Sequence, residues 1–343
     1  MPHLETIISV SSKEGLDVFD ASSCTHLRQI QIPVHGGPGA PASLDSEHVV
    51  VPQSDRPALL IINTSTGQIK QRCPTTEFIR VTAVSNGKDY LAGGTASGRV
   101  YLWHADTGEL VRTWDAHYKG ISALCFSDDD VFLLSGGDDG ILNVWLFSDL
   151  VDAETSDATA RPAPYMEFSH HALPITAIAI GTNVSGGGRL FTASLDRSVK
   201  QYSLAARTLI SSFLFPSPIN ALALDPSELF FVAGAADGCV YKWLLMAPEQ
   251  VDAGSAGSSW DVMRSASSSL TAATTAQQTA QQTARQATTG LALANAVASA
   301  VSAQTGSAGV LVFKGHLEEV TDVSLSFNGS CLVSSSTDGY AFF

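Results

Sequence analysis

The sequence predicts an all-β protein, a seven-bladed β-propeller whose last blade is truncated at the C-terminus. Three observations predict it. A polar turn recurs about every 42 residues, each interval holds four short alternating runs, and seven copies of the unit fit along the 343 residues. Each such unit buries its apolar faces only against its neighbours, so the full complement is needed for stability.

The turn is clearest in Gly136-Gly137-Asp138-Asp139-Gly140-Ile141-Leu142-Asn143-Val144-Trp145, where a tight turn runs into an alternating strand. Ser194-Leu195-Asp196-Arg197-Ser198-Val199-Lys200-Gln201-Tyr202 and Ala235-Ala236-Asp237-Gly238-Cys239-Val240-Tyr241-Lys242-Trp243 have the same form, each with an aromatic six positions after the Asp. Thr95-Ala96-Ser97-Gly98-Arg99-Val100-Tyr101-Leu102-Trp103 matches with Ser97 in the Asp place; Thr337-Asp338-Gly339, Asp55-Arg56 and Glu14-Gly15 mark the other copies.

The N-terminus enters partway through a unit, with strands expected over 6–10, 16–20 and 26–30. In the fourth unit the expected strands are 121–126, 131–135, 141–145 and 165–168. Two intervals exceed the period, and both coincide with segments unlike strands. An acidic loop is expected over 148–164, carrying Asp149, Asp152, Glu154 and Asp157, and a low-complexity Ala/Ser/Thr/Gln insertion over 247–309. They follow Trp145 and Trp243, so each joins the third strand of a blade to its fourth and both project from one face. The longer one reads as a flexible excursion, or as a helix formed on a partner along Leu291, Leu293, Val297 and Val301. The chain stops at Phe343 inside a strand, which implies a missing segment that completes the seventh blade.

Composition excludes several classes. With 19 basic against 33 acidic residues the formal charge is −14, which removes the bulk attraction for phosphate that autonomous nucleic-acid binding needs. At 45% apolar, the chain can bury a large core. Cys24, Cys73, Cys125, Cys239 and Cys331 are odd in number and form no C-x-x-C pair, which speaks for a reducing compartment and against a disulfide framework or zinc site. Met1 to Val10 lacks the pattern of a signal peptide, Leu291 to Val301 is too short to span a bilayer, and the N-x-S/T triplets at Asn63, Asn183 and Asn328 read as chance.

Recurring polar residues supply the candidate site. His117, His171 and His316 lie four residues before Ile121, Ile175 and Val320, and Ser135, Thr192 and Ser334 lie four before each Asp. The fourth blade therefore carries His117, Ser135, Asp139 and Trp145; the fifth His171, Thr192, Asp196 and Tyr202; the seventh His316, Ser334 and Asp338. A Ser, a His and an Asp invite a hydrolase reading. Repetition argues against it, since an active site occurs once, and no Gly-x-Ser-x-Gly elbow encloses a candidate. The expectation is a structural hydrogen-bond network, Asp to His ring to hydroxyl to aromatic N–H or O–H, with no catalytic, cofactor-binding or metal residue. The pair His170-His171 lacks a Cys or carboxylate at ligand spacing, and Gly87-Lys88 lacks the rest of a phosphate loop. Candidate partner contacts are Arg56 and Arg197 after the Asp positions, with Phe215, Pro216 and Pro218 in a stiff apolar loop that replaces a His-bearing one; packing of the blade rim is the alternative for that loop.

The turn Asp, the aromatic six positions on, the preceding His and the period resemble the WD-repeat propeller family, over almost the whole chain outside the insertions. Ser97 in the Asp place, Phe215 in the His place and the degenerate first two blades depart from the pattern and imply looser units. Residues 192–200, 213–219 and 224–227, with the Ala235-Ala236-Asp237-Gly238 turn, further resemble the WD-repeat subunit of the complex that processes the second internal transcribed spacer of pre-ribosomal RNA. That resemblance implies a non-enzymatic scaffold in large-subunit maturation, in the nucleolus and nucleoplasm. Its implied partners are a helical-repeat scaffold subunit, the large-ribosomal-subunit precursor particle and, indirectly, a midasin-type AAA ATPase, with no membrane. The other reading is a substrate receptor of a ubiquitin ligase or another generic interaction scaffold. The Arg expected of such a receptor after a Trp-Asp strand end is absent, since His104, Leu146, Ser203 and Leu244 follow the strand-ending aromatics.

Overall fold

A computed structural model describes residues 6–11, 15–20, 25–31, 41–45, 47–53, 55–151, 162–181, 189–245, 310–326, 329 and 331–342. Two compact units emerge, Met1–Ser212 with Phe343, and Phe213–Phe342.

The first unit is built of consecutive antiparallel sheets. One holds β1 (Thr6–Ser11), β2 (Gly15–Asp20) and β3 (His26–Ile30); the next holds β4 (Ala42–Ser43), β5 (His48–Pro52), β6 (Ala58–Asn63) and β7 (Ile69–Pro74). The third holds β8 (Ile79–Val84), β9 (Tyr90–Thr95), β10 (Arg99–His104) and β11 (Leu110–Asp115). The fourth holds β12 (Ile121–Phe126), β13 (Phe132–Gly137), β14 (Leu142–Leu146) and, after a short helix α1 (Phe147–Val151), β15 (Met166–Phe168). The fifth holds β16 (Ile175–Ile180), β17 (Arg189–Ser194), β18 (Ser198–Ser203) and β19 (Thr208–Leu214), whose last residues lead into the second unit. That unit has a sheet of β20 (Ile219–Leu224), β21 (Phe230–Ala235), β22 (Cys239–Leu244) and β23 (Val310–Lys314), and one of β24 (Val320–Leu325), β25 (Leu332–Ser336) and β26 (Ala341–Phe342).

Strand burial follows sequence character. The apolar run of β6 is buried at every position from Ala58 to Ile62, while outer strands such as β7 and β11 alternate or face water. Small residues set the packing between sheets. A Cβ added to Gly94 in β9 would sit 2.8 Å from Ile121, and one added to Gly136 in β13 would sit 2.8 Å from Ile175. The second strand of one sheet thus lies directly on the first strand of the next, a distance only glycine permits. Within the second unit Gly234 stands to Val320 in the same way.

Three details were not anticipated. The first strands of five sheets carry a register shift at the same place, as between Ile121 and Ala123 or Ile175 and Ala177, so each bends at its start. The second strand of the fourth sheet begins at Phe132, because Asp129 accepts hydrogen bonds from the Ser127 hydroxyl and the Val131 N–H and holds Val131 in the turn. The segment expected to start as an acidic loop at 148 instead starts within α1, which buries Leu150 against the cluster holding Trp114 and Trp145. Residues 152–161 and the 247–309 insertion lie outside the described residues.

Candidate functional site

Between β11 and β12 the chain carries His117, and the turn between β13 and β14 carries Asp139. The fold brings them together at the end of the fourth sheet. The His117 Nδ1–H is 3.1 Å from both Asp139 carboxylate oxygens, its Nε2 is 2.9 Å from Ser135 Oγ, and Trp145 Nε1–H donates to Ser135 Oγ at 3.0 Å. Asp139 also accepts from the Ile141 N–H at 3.0 Å. The carboxylate fixes the tautomer: Nδ1 donates, so Nε2 accepts the serine proton, and the serine oxygen accepts from the indole. His117, Ser135, Asp139 and Trp145 thus form one chain of hydrogen bonds.

The fifth sheet repeats most of this. His171 donates to Asp196 at 2.9 Å and meets Thr192 Oγ1 at 2.7 Å, and Asp196 takes further donors from Ala172 N–H and Ser198. The fourth member departs, because among the described residues the buried Tyr202 hydroxyl has no hydrogen-bond partner, and burial pushes its pKa up to about 12. Tyr202 packs instead on Phe168 and His170. In the second unit His316 meets Asp338 at 3.2 Å and Ser334 at 2.9 Å, with Phe342 edge-on to its ring.

Charge state follows from this geometry. Burial opposes ionisation of Asp139, but the His117 hydrogen bond and the backbone donors outweigh it and hold its pKa below the usual carboxylate range. Asp196 is depressed against burial by His171 and Ser198, and Asp338 by the N–H groups of Leu317 and Tyr340 with His316.

The order carboxylate, imidazole, hydroxyl is also that of a hydrolytic triad. Here Ser135 is fully buried and its oxygen already accepts the indole N–H, while the His117 and Asp139 side chains are 0% and 1% exposed. No substrate carbonyl reaches such a hydroxyl, so the arrangement fastens loop to strand.

Two sheets replace the network. In the third, Ser97 donates to Glu77 at 2.5 Å, Arg99 spans Glu77 and Asp115, Tyr101 meets Thr76 at 2.6 Å, and the buried Trp103 N–H has no partner among the described residues. In the sixth, Phe215 enters a cluster with Phe231, Tyr241 and Trp243, and the Tyr241 hydroxyl donates to Asp237 at 2.8 Å. Phe215, expected as a partner contact, is therefore corrected: it is 4% exposed and rim packing claims it. Pro216 is exposed and Pro218 half-buried; Arg56 and Arg197 are exposed.

Sequence reasoning missed the ties between neighbouring sheets of the first unit. Arg80 pairs with Asp138 at 2.7 Å, and Asp130 accepts from the N–H groups of Asn86 and Gly87 at 2.7 Å each. The Asp138-Asp139 doublet was the available signal for the first. Among the described residues no cluster of His, Cys, Asp or Glu could hold a metal ion, and no helix is long and apolar enough to cross a membrane.

The recurring networks and four-stranded sheets define a class, and the comparisons agree with it. The family model of the WD domain, G-beta repeat, matches residues 108–145, 207–243 and 309–343. A solved chain in the crystal structure of the mitotic checkpoint complex superposes with a TM-score of 0.66 over 98% of this chain and 82% of that one, at 13% identity, which speaks for the fold alone. The chain is an all-β WD-repeat β-propeller.

Among curated proteins, Protein ROOT INITIATION DEFECTIVE 3 of Arabidopsis thaliana is 31% identical over 69% of this chain and 55% of its own length. Pre-rRNA-processing protein IPI3 of Mycosarcoma maydis is 30% identical over 70% of this chain and 42% of its own length, and WD repeat-containing protein 18 of Danio rerio is 28% identical over 79% and 51%. The chain spans about half the length of these relatives.

Proposed function

We propose that this protein is a non-enzymatic scaffold subunit of a nuclear ribosome-assembly complex, acting by protein–protein contacts in large-subunit maturation and pre-rRNA spacer processing. Its seven described sheets, including the three-stranded ones, are read as seven blades. The observation that carries the reading is the similarity to relatives named for pre-rRNA processing. The buried polar networks support it, because they are joints with no accessible nucleophile. The partners of this reading are a helical-repeat scaffold subunit and the large-subunit precursor particle, with a midasin-type AAA ATPase acting later. At a net charge of −14, contact with RNA is local and depends on those partners.

Affinity purification of the tagged full-length protein from cells, with sequencing of the bound RNA, tests this. Precursor rRNA containing the second internal transcribed spacer, together with assembly factors, is the expected result. Recovery of cullins and adaptors without precursor rRNA overturns it in favour of a ligase receptor. Depletion should cause spacer-containing precursors to accumulate, and imaging should place the protein in the nucleolus and nucleoplasm.

A further inference from the structure

The third, fourth and sixth sheets share a strand pattern, and one position in it differs. Four residues after the turn Asp, or the Ser97 that replaces it, the third sheet has Tyr101 and the sixth has Tyr241. Both rings are tied down, Tyr101 by Thr76 and Tyr241 by Asp237. The fourth sheet has Asn143 there. Its shorter side chain reaches only the Ala116 carbonyl, at 3.0 Å, and a pocket of about 310 Å³ opens on that side of the sheet.

The pocket has a definite chemistry. Asn143 is 5% exposed and its Oδ1 accepts no hydrogen bond among the described residues. Directly opposite it across the β14–β15 ladder stands Glu167, an exposed carboxylate with no ion pair or hydrogen bond among the described residues. Residues paired in this way present their side chains on one sheet face about 5 Å apart. The third and sixth sheets put Thr113 and Val312 in the corresponding place, so the amide–carboxylate pair belongs to the fourth sheet. The walls are Pro162, Pro164 and the ring of Tyr118, which is 71% exposed. Asp139 also lines the pocket, but His117 occupies its oxygens, and among the described residues no Lys or Arg lines it.

We propose that this pocket receives an arginine side chain presented by a basic segment of a partner protein. Two neighbouring acceptors without donors among the described residues suit a guanidinium, whose planar fork supplies several N–H groups at once. The proline and tyrosine walls suit its methylenes, and an aromatic face beside the carboxylate favours a cation. A chain of net charge −14 also draws basic segments towards it. This inference goes beyond the ribosomal reading and stands without it.

The test uses the full-length protein and N-acetyl-arginine amide, with N-acetyl-citrulline amide as the uncharged twin, followed by two-dimensional NMR of the indole N–H signals. A saturable shift of the Trp145 signal is expected, with a Kd on the order of a millimolar and citrulline at least about ten-fold weaker. Glu167→Gln should weaken arginine about ten-fold. Asn143→Tyr, which restores the residue of the third and sixth sheets, should abolish the shift while thermal melting is retained. Equal binding of citrulline, unchanged binding in Asn143→Tyr, or no saturable shift up to about 20 mM overturns the proposal.

Discussion

Replacing Asp139 with Ala measures what one buried fastener contributes. The side chain is 1% exposed, and its loss strands the His117 Nδ1–H and the Ile141 N–H, the former on a fully buried ring. Each stranded donor costs about 1–3 kcal/mol, so the total falls at about 2–6 kcal/mol. Asp139→Asn keeps the shape and one acceptor and should lose about 1–2 kcal/mol. Urea unfolding at pH 7 reads both. The folded pKa of Asp139 lies below its unfolded value near 3.8, so its contribution is complete above that value and is lost as the pH falls through the folded one. The gap between wild type and Asp139→Asn should therefore shrink below about pH 4. Ser135→Ala combined with Asp139→Ala should cost less than the two changes added, since both act through the His117 ring. A penalty under about 0.5 kcal/mol, or one equally large at pH 7 and in acid, would refute the fastener.

Three further outcomes are expected in the same assay. Phe215→Ala should destabilise by about 3–5 kcal/mol, since the ring packs against Phe231, Tyr241 and Trp243, and the fraction that stays folded should keep its partners in co-purification. Arg197→Gly should stabilise by about 1 kcal/mol, because Arg197 holds φ at +67° where the same turn has Gly98 at +93° and Gly140 at +78°. Tyr202→Phe should change stability by less than about 0.5 kcal/mol or raise it, because the hydroxyl it removes is buried without a partner.

Repetition made the fold legible. An Asp and an aromatic six positions apart mark a turn and the strand after it, and the structure places strands at the marks in every unit with such a pair. The fourth-sheet network was legible for the same reason, since its four members stand at fixed offsets within one repeat. Period alone could not show that Tyr202 would fill its space without a hydrogen bond, because a hydroxyl's partner depends on angles that spacing does not record. Arg80 with Asp138 and Asp130 with Asn86 were invisible for another reason: they join different repeats, 58 and 44 residues apart in the chain. The sequence left Phe215 open between a partner contact and rim packing, because an apolar loop residue looks the same whether it meets a partner or its own Trp243.

The hairpin of β22 and β23 has a consequence of its own. Five consecutive pairs, from Cys239 with Lys314 to Trp243 with Val310, hold register although residues 245–309 separate the two strands. Closing so long an excursion instead of a four-residue turn costs only about 2–3 kcal/mol, because the entropy of closure grows with the logarithm of length. That edge behaves as a docking port for foreign sequence: a lineage can lengthen, shorten or exchange what it carries there at little thermodynamic risk to the sheet beneath.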